Sequence, residues 1–174
     1  MVLARLVPFE GQSPRVAPDA FRAPSAWLIG DVEGGSEASI WFGCVLRGAV
    51  NFVRIGDRSN LQDGCIVHVT GEGLPTRIGV EVTVGHRCIL HACSLQDRSF
   101  IGMGAKLMDG AVVESGAMLA AGSLLTPGKR VPAGQLGAGR PARYVREVSA
   151  QETAGFAQAS VRYIELARTY RASL

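Results

Sequence analysis

Aliphatic residues return every six positions along most of this chain. One register runs through Ile29, Gly35, Trp41 and Arg47, then through Ile55, Leu61 and Val67, then through Ile78, Val84 and Leu90. A last run covers Ile101, Leu107, Val113, Leu119, Leu125 and Val131. The position four further on is small or thin, as at Cys65, Val82, Cys88, Ala105, Ala111, Ala117 and Ser123. A hexapeptide rhythm of this kind marks a parallel β-helix, in which each hexad is a short strand plus a corner and three hexads close one coil. The aliphatic side chain fills the interior and the small one fits where strand meets corner. Glycines serve corners that need unusual backbone angles. Successive coils stack like strands of a sheet, about 4.8 Å apart.

The rhythm breaks three times. Arg47 to Ile55 is read as a loop of two residues beyond one hexad, and Val67 to Ile78 and Leu90 to Ile101 as loops of five each. Residues 1–26 are Pro-rich and are expected to form an irregular lead-in with one short strand near Ala4–Val7. The β-helix is expected over 27–140. Beyond it, Ser149 followed by Glu152 makes a capping box. Phe156, Tyr163, Ala167 and Tyr170 then recur on one helical face, which predicts an amphipathic helix over 149–172. The whole reads as a single domain, 1–174, whose helix covers the flank of its own coil or of a neighbour's.

Composition narrows the function. The net charge of +3 is small and the basic residues are dispersed, which argues against nucleic acid as the main partner. Four cysteines, Cys44, Cys65, Cys88 and Cys93, form no C-x-x-C pair. With no export signal and no apolar span of about 20 residues, they read as reduced thiols of a cytoplasmic protein that does not enter a membrane.

The chemistry concentrates in Asn60–His91, which holds all three histidines of the chain, His68, His86 and His91. Three neutral imidazoles with a fourth position open make a catalytic zinc site. His68 and His91 each follow a key position of the same face and therefore stack one coil apart, roughly 5 Å between backbones. His86 belongs to another face and cannot join them within a rigid prism. A three-histidine site is then expected between chains, with His68 and His91 from one subunit and His86 from its neighbour. Head-to-tail contacts of that kind close into rings, and a triangular prism predicts a homotrimer with three metal sites. The same bookkeeping stacks Asp63 one coil before His86, sets Gln62 beside it, and places Arg47 one coil before His68. Cys65 and Cys88 fall at the small interior position, so packing is their expected role, and Cys93, near His91, carries little weight as a ligand.

These residues resemble the gamma-class carbonic anhydrase family of bacterial hexapeptide-repeat proteins. The stretches that carry the likeness are IWFGCVLRGAVNFVRIGDRSNLQDGCIVHV, VGHRCILHACSL and IGMGAKLMDGAVV. The resemblance implies a mainly β fold, a left-handed parallel β-helix with a C-terminal α-helix. It implies a trimer with Zn2+, Fe2+ or Co2+ at each interface, held by His68, His86 and His91. Gln62 would orient the metal-held hydroxide or CO2, and Arg47 with Asp63 would belong to the interface network. The implied activity is that of a carbonate dehydratase, a lyase that reversibly hydrates CO2 to bicarbonate.

Two departures from the family pattern stand out. Its Arg-Gly-Asp is here Arg47-Gly48-Ala49, which leaves Arg47 to another partner, with Asp63 the candidate. Its Asn before Tyr in the helix is here Arg162 before Tyr163. For the proton shuttle only Glu72 offers a weak counterpart. Rival readings are hydrolysis of a CoA thioester or ester, hexapeptide acyl transfer, and a non-catalytic metal-binding trimeric scaffold.

Overall fold

A computed structural model describes residues 5–71 and 73–174. It is mainly β, a parallel β-helix closed by a hairpin, Gln135–Gly139 with Ala142–Glu147, and followed by one helix, Ala150–Ser173. Three faces wind around one core. Leu46, Val67, Leu90, Leu107 and Leu125 stack on the first face. Ile55, Ile78, Leu95, Val113 and Val131 stack on the second. Ile40, Leu61, Val84, Ile101 and Leu119 stack on the third. These rows are buried and form a single column of apolar side chains, whose removal from water is the main stabilising term.

The corners follow from backbone chemistry. Glu37, Arg58, Glu81 and Arg98 occupy one corner in successive coils, each with positive φ. Their charges alternate in sign, and Arg58 bridges Glu37 at 3.3 Å and Glu81 at 3.1 Å. Asp57 and Asp97 each accept a backbone N–H from the coil before, at Ser36 and Val80. Glycine is required where coils nearly touch: Gly30 has φ +72°, and a Cβ there would lie 2.4 Å from the Gly48 carbonyl oxygen.

Several expectations need correction. The inward residues of the first coils are Leu28, Ile40 and Leu46, one place before the expected Ile29, Trp41 and Arg47. Trp41 is buried as well, but in a second cluster beneath the helix, so hydrophobicity alone does not separate the two positions. The expected strand near Ala4–Val7 is present as Arg5–Val7, but the lead-in holds more than that one: Arg15–Val16 and Phe21–Arg22 also pair in parallel with the next coil. Leu90 to Ile101 holds no five-residue loop, because Leu95 fills the second face after a hexad shortened by one. The break after Arg47 is a register irregularity inside the continuous strand Val45–Ile55.

The helix lies on the third face of its own chain. Ser149 caps it, and the Ser149–Glu152 box is complete. The helix runs back down the stack. Phe156 stacks on Phe100, the Ser160 hydroxyl donates to the Arg58 carbonyl at 2.8 Å, and Arg171 donates to the Asp19 carbonyl at 2.6 Å. Phe156, Ser160, Ile164 and Ala167 are its buried positions. Tyr163 is half-buried, and the Tyr170 ring, though partly exposed, stands edge-on to Trp41 with ring centroids 5.4 Å apart.

Candidate metal centre

Arg47, His68 and His91 are register partners on three successive coils, each one residue after an inward aliphatic. Their side chains therefore share the outer surface of the first face. His68 Nδ1 lies 3.1 Å from His91 Nε2. Two imidazole nitrogens on one tetrahedral zinc, each about 2.0–2.1 Å from it, are themselves about 3.3 Å apart. The pair thus fits a shared cation. Burial is the larger cause lowering the His68 pKa, and the positive charge of Arg47 adds to it. The neutral imidazole, which is the ligating form, is favoured. His68 Nε2 is buried with no hydrogen-bond partner.

His86 stands at a corner of the third face, with its Nδ1 2.9 Å from Asp63 Oδ2. The backbone N–H of Arg87 donates to the Asp63 carbonyl at 2.9 Å, which places Asp63 one coil before His86. Among the described residues, no group of three His, Cys, Asp or Glu side chains is arranged to hold a metal. The fold brings His68 and His91 together and leaves His86 apart.

Gln62 is buried, and its amide donates to Asn60 Oδ1 at 3.3 Å. Asn60 in turn donates to Thr83 Oγ1 at 2.9 Å, so the Gln62 side chain hangs from a fixed polar ladder. Arg47 is exposed and takes part in no ion pair among the described residues. Tyr163 faces the same region, and burial followed by the Asp63 charge pushes its phenol up, so it stays protonated. The Cys93 thiol is fully buried and pushed up to about 12 by that burial, which disfavours the thiolate a metal would need. Glu72 lies outside the described residues.

The sequence reading missed Asp109. Its Oδ1 lies 2.5 Å from His91 Nδ1. The signal was present: Asp109 is two residues after Leu107, the coil partner of Leu90, just as Asp63 is two after Leu61.

Hexads wound into a parallel coil, with paired imidazoles on an outer row, define a hexapeptide-repeat protein. No family model matches the chain. It is 47% identical over 164 residues to a mitochondrial gamma carbonic anhydrase 2 of Arabidopsis thaliana, covering 91% of this chain and 59% of that one. It is 41% identical over 167 residues to a carbonic anhydrase of Geobacillus kaustophilus, covering 96% of this chain and 91% of that one. A crystal structure of a hexapeptide transferase family protein from Anaplasma phagocytophilum superposes with a TM-score of 0.92 at 49% identity, covering 95% of this chain and 98% of that one. The chain belongs to the gamma-class carbonic anhydrase family. It spans about three-fifths of the length of the Arabidopsis proteins it matches.

Proposed function

We propose that this protein catalyses the reversible hydration of CO2 to bicarbonate at a zinc-type metal centre shared between subunits of a homotrimer. His68 and His91 of one subunit and His86 of the next hold the cation, with Zn2+ the first choice and Fe2+ or Co2+ the alternates. The observation that carries this reading is the 3.1 Å convergence of His68 Nδ1 and His91 Nε2 in a protomer where His86 lies elsewhere. Two ligands leave a tetrahedral site half filled, and His86 is the remaining imidazole of the chain.

A second observation favours a neighbouring copy at this face. Beside the histidine row runs a parallel outward row of Val45, Ile66, Ile89, Lys106 and Leu124. Ile66 is 40% exposed in the protomer. A strip that is apolar except at Lys106, next to an incomplete ligand set, suits coverage by a second copy of this chain.

The cation, when bound, supplies a Lewis acid that brings the ionisation of a water toward neutral pH. The chain's own groups do the rest. Gln62, fixed through Asn60, orients the reacting molecules through its amide. Arg47 places a positive charge where the bicarbonate anion forms. Asp63 holds the His86 ring by its Nδ1, so that Nε2 faces outward. Tyr163 offers a phenol that stays protonated and can donate a hydrogen bond. The net step is CO2 plus water giving bicarbonate plus a proton, which leaves to buffer. No helix among the described residues is long and apolar enough to cross a membrane. Four buried cysteines without a disulfide suit a reducing, cytoplasmic setting.

The test combines zinc per chain by mass spectrometry, solution mass by light scattering, and stopped-flow CO2 hydration on one sample. One metal per chain in a trimer that hydrates CO2 is the expected result. A metal-bearing trimer without hydration moves the function to thioester hydrolysis or to a scaffold. A metal-free monomer overturns the reading.

A further inference from the structure

We infer that Asp109 is a positioning residue for His91, fixing the imidazole in the tautomer that leaves Nε2 bare and aiming that nitrogen at His68. The inference rests on the metal-centre reading for what the bare nitrogen serves, but its geometry stands alone. Asp109 Oδ1 lies 2.5 Å from His91 Nδ1, and His91 Nε2 lies 3.1 Å from His68 Nδ1, so the three side chains are linked in series. A carboxylate only accepts, so the proton between Asp109 and His91 sits on Nδ1. A neutral imidazole carries one N–H, and Nε2 is left with its lone pair exposed toward His68.

The backbone fixes Asp109 in this position. Met108 N–H donates to the Leu125 carbonyl at 3.1 Å, and Gly110 N–H donates to the Ala92 carbonyl at 2.8 Å. The Asp109 carbonyl itself accepts from Gly128 N–H at 2.9 Å. The residue is thus tied to the coils before and after it, and its short side chain has little freedom to leave His91. Gly110 has φ +68°, which turns the chain immediately after the carboxylate. Asp63 stands in mirror relation: it holds His86 Nδ1 from one coil before, whereas Asp109 holds His91 Nδ1 from one coil after. Outer-shell carboxylates on ligating histidines orient the ring and raise its basicity.

The experiment uses the full chain, 15N-labelled and stripped of metal by chelator. Long-range 1H–15N spectra at neutral pH read the His91 tautomer, and competition with a chromophoric chelator then reads the Zn2+ affinity. Wild-type protein is expected to show Nδ1–H with a bare Nε2. Asp109→Ala is expected to lose that single tautomer and to bind Zn2+ about 10- to 100-fold more weakly, with unchanged circular dichroism. An Nε2–H tautomer in wild-type protein overturns the assignment, as does Asp109→Ala with tautomer and affinity unaltered. If Asp109→Ala does not fold, the wild-type spectrum decides. If wild-type protein takes up no Zn2+, the metal-centre reading falls, and the tautomer comparison alone decides the role of Asp109.

Discussion

His68 and His91 are 23 residues apart in the chain and direct register partners in the coil, with facing ring nitrogens 3.1 Å apart. Both stand on paired strands, so no loop is needed to bring them together. Their spacing is set by the distance between stacked strands.

Replacing His86 tests the shared site. His86→Ala should reduce zinc from one per chain to near zero, although His86 touches neither His68 nor His91 in the hydrogen-bond network of a protomer. Far-UV circular dichroism should not change. Full zinc stoichiometry in this variant sinks the intersubunit model.

Gln62 is buried yet ends in a polar group that the core does not need. Gln62→Ala should lower kcat for CO2 hydration by about 10- to 100-fold, the range usual for groups that orient the first ligands of a metal. Zinc content should stay at the wild-type level. A kcat within twofold of wild type would remove Gln62 from the mechanism.

The column of aliphatic side chains sets stability. Leu107 is fully buried between Leu90 and Leu125. Leu107→Ala should cost about 2–5 kcal/mol in urea unfolding, because stacked coils collapse poorly around a hole. A loss under 1 kcal/mol would mean that the column repacks freely.

Acid should loosen the helix before the coil. The Arg146 guanidinium, with help from the Ser149 backbone and hydroxyl, holds the Glu152 carboxyl down at about 2, against an ordinary value of 4.5. A depressed carboxylate contributes stability above its unfolded pKa and loses it as pH falls through the folded one. Helix signal should therefore weaken between pH 4.5 and 2 in wild-type protein. Glu152→Gln should start lower and change less over that window; an identical titration in both proteins would exclude the box as the cause. Added salt should diminish the effect, since the Arg146–Glu152 pair lies at the surface.

Much of this was legible in the sequence. From Ile55 onward the period of six names the inward residues except Leu95, and the small positions from Cys65 to Ser123 are all buried. The pairing of His68 with His91 follows from counting along the same register. The first coils resisted because the helix covers the third face, so both sides of Ile40–Trp41 are apolar and the strand offers two equally good registers. Leu95 was hidden by a single missing residue, which breaks a count without breaking a coil. Ser160 and Ile164 were missed on the helix. Ser160 is polar and buried only because the Arg58 carbonyl is there to accept its hydroxyl, a relation across 102 residues that no local pattern carries. Asp109 was findable with the rule already applied to Asp63.

The C-terminal helix also acts as a gauge of length. Its 24 residues, at about 1.5 Å each, extend roughly 36 Å, and coils stacked at about 4.8 Å fill that distance in seven or eight layers. Its grip is fixed at named levels, from Phe100 down to Asp19, so it cannot slide to accommodate a different stack. A duplicated or deleted coil would keep the interior phase intact, since every coil looks alike from inside, but would leave the helix one step out of register with its anchors. Repeat proteins of this kind have an open-ended design, and here the helix is fitted to one particular stretch of the stack.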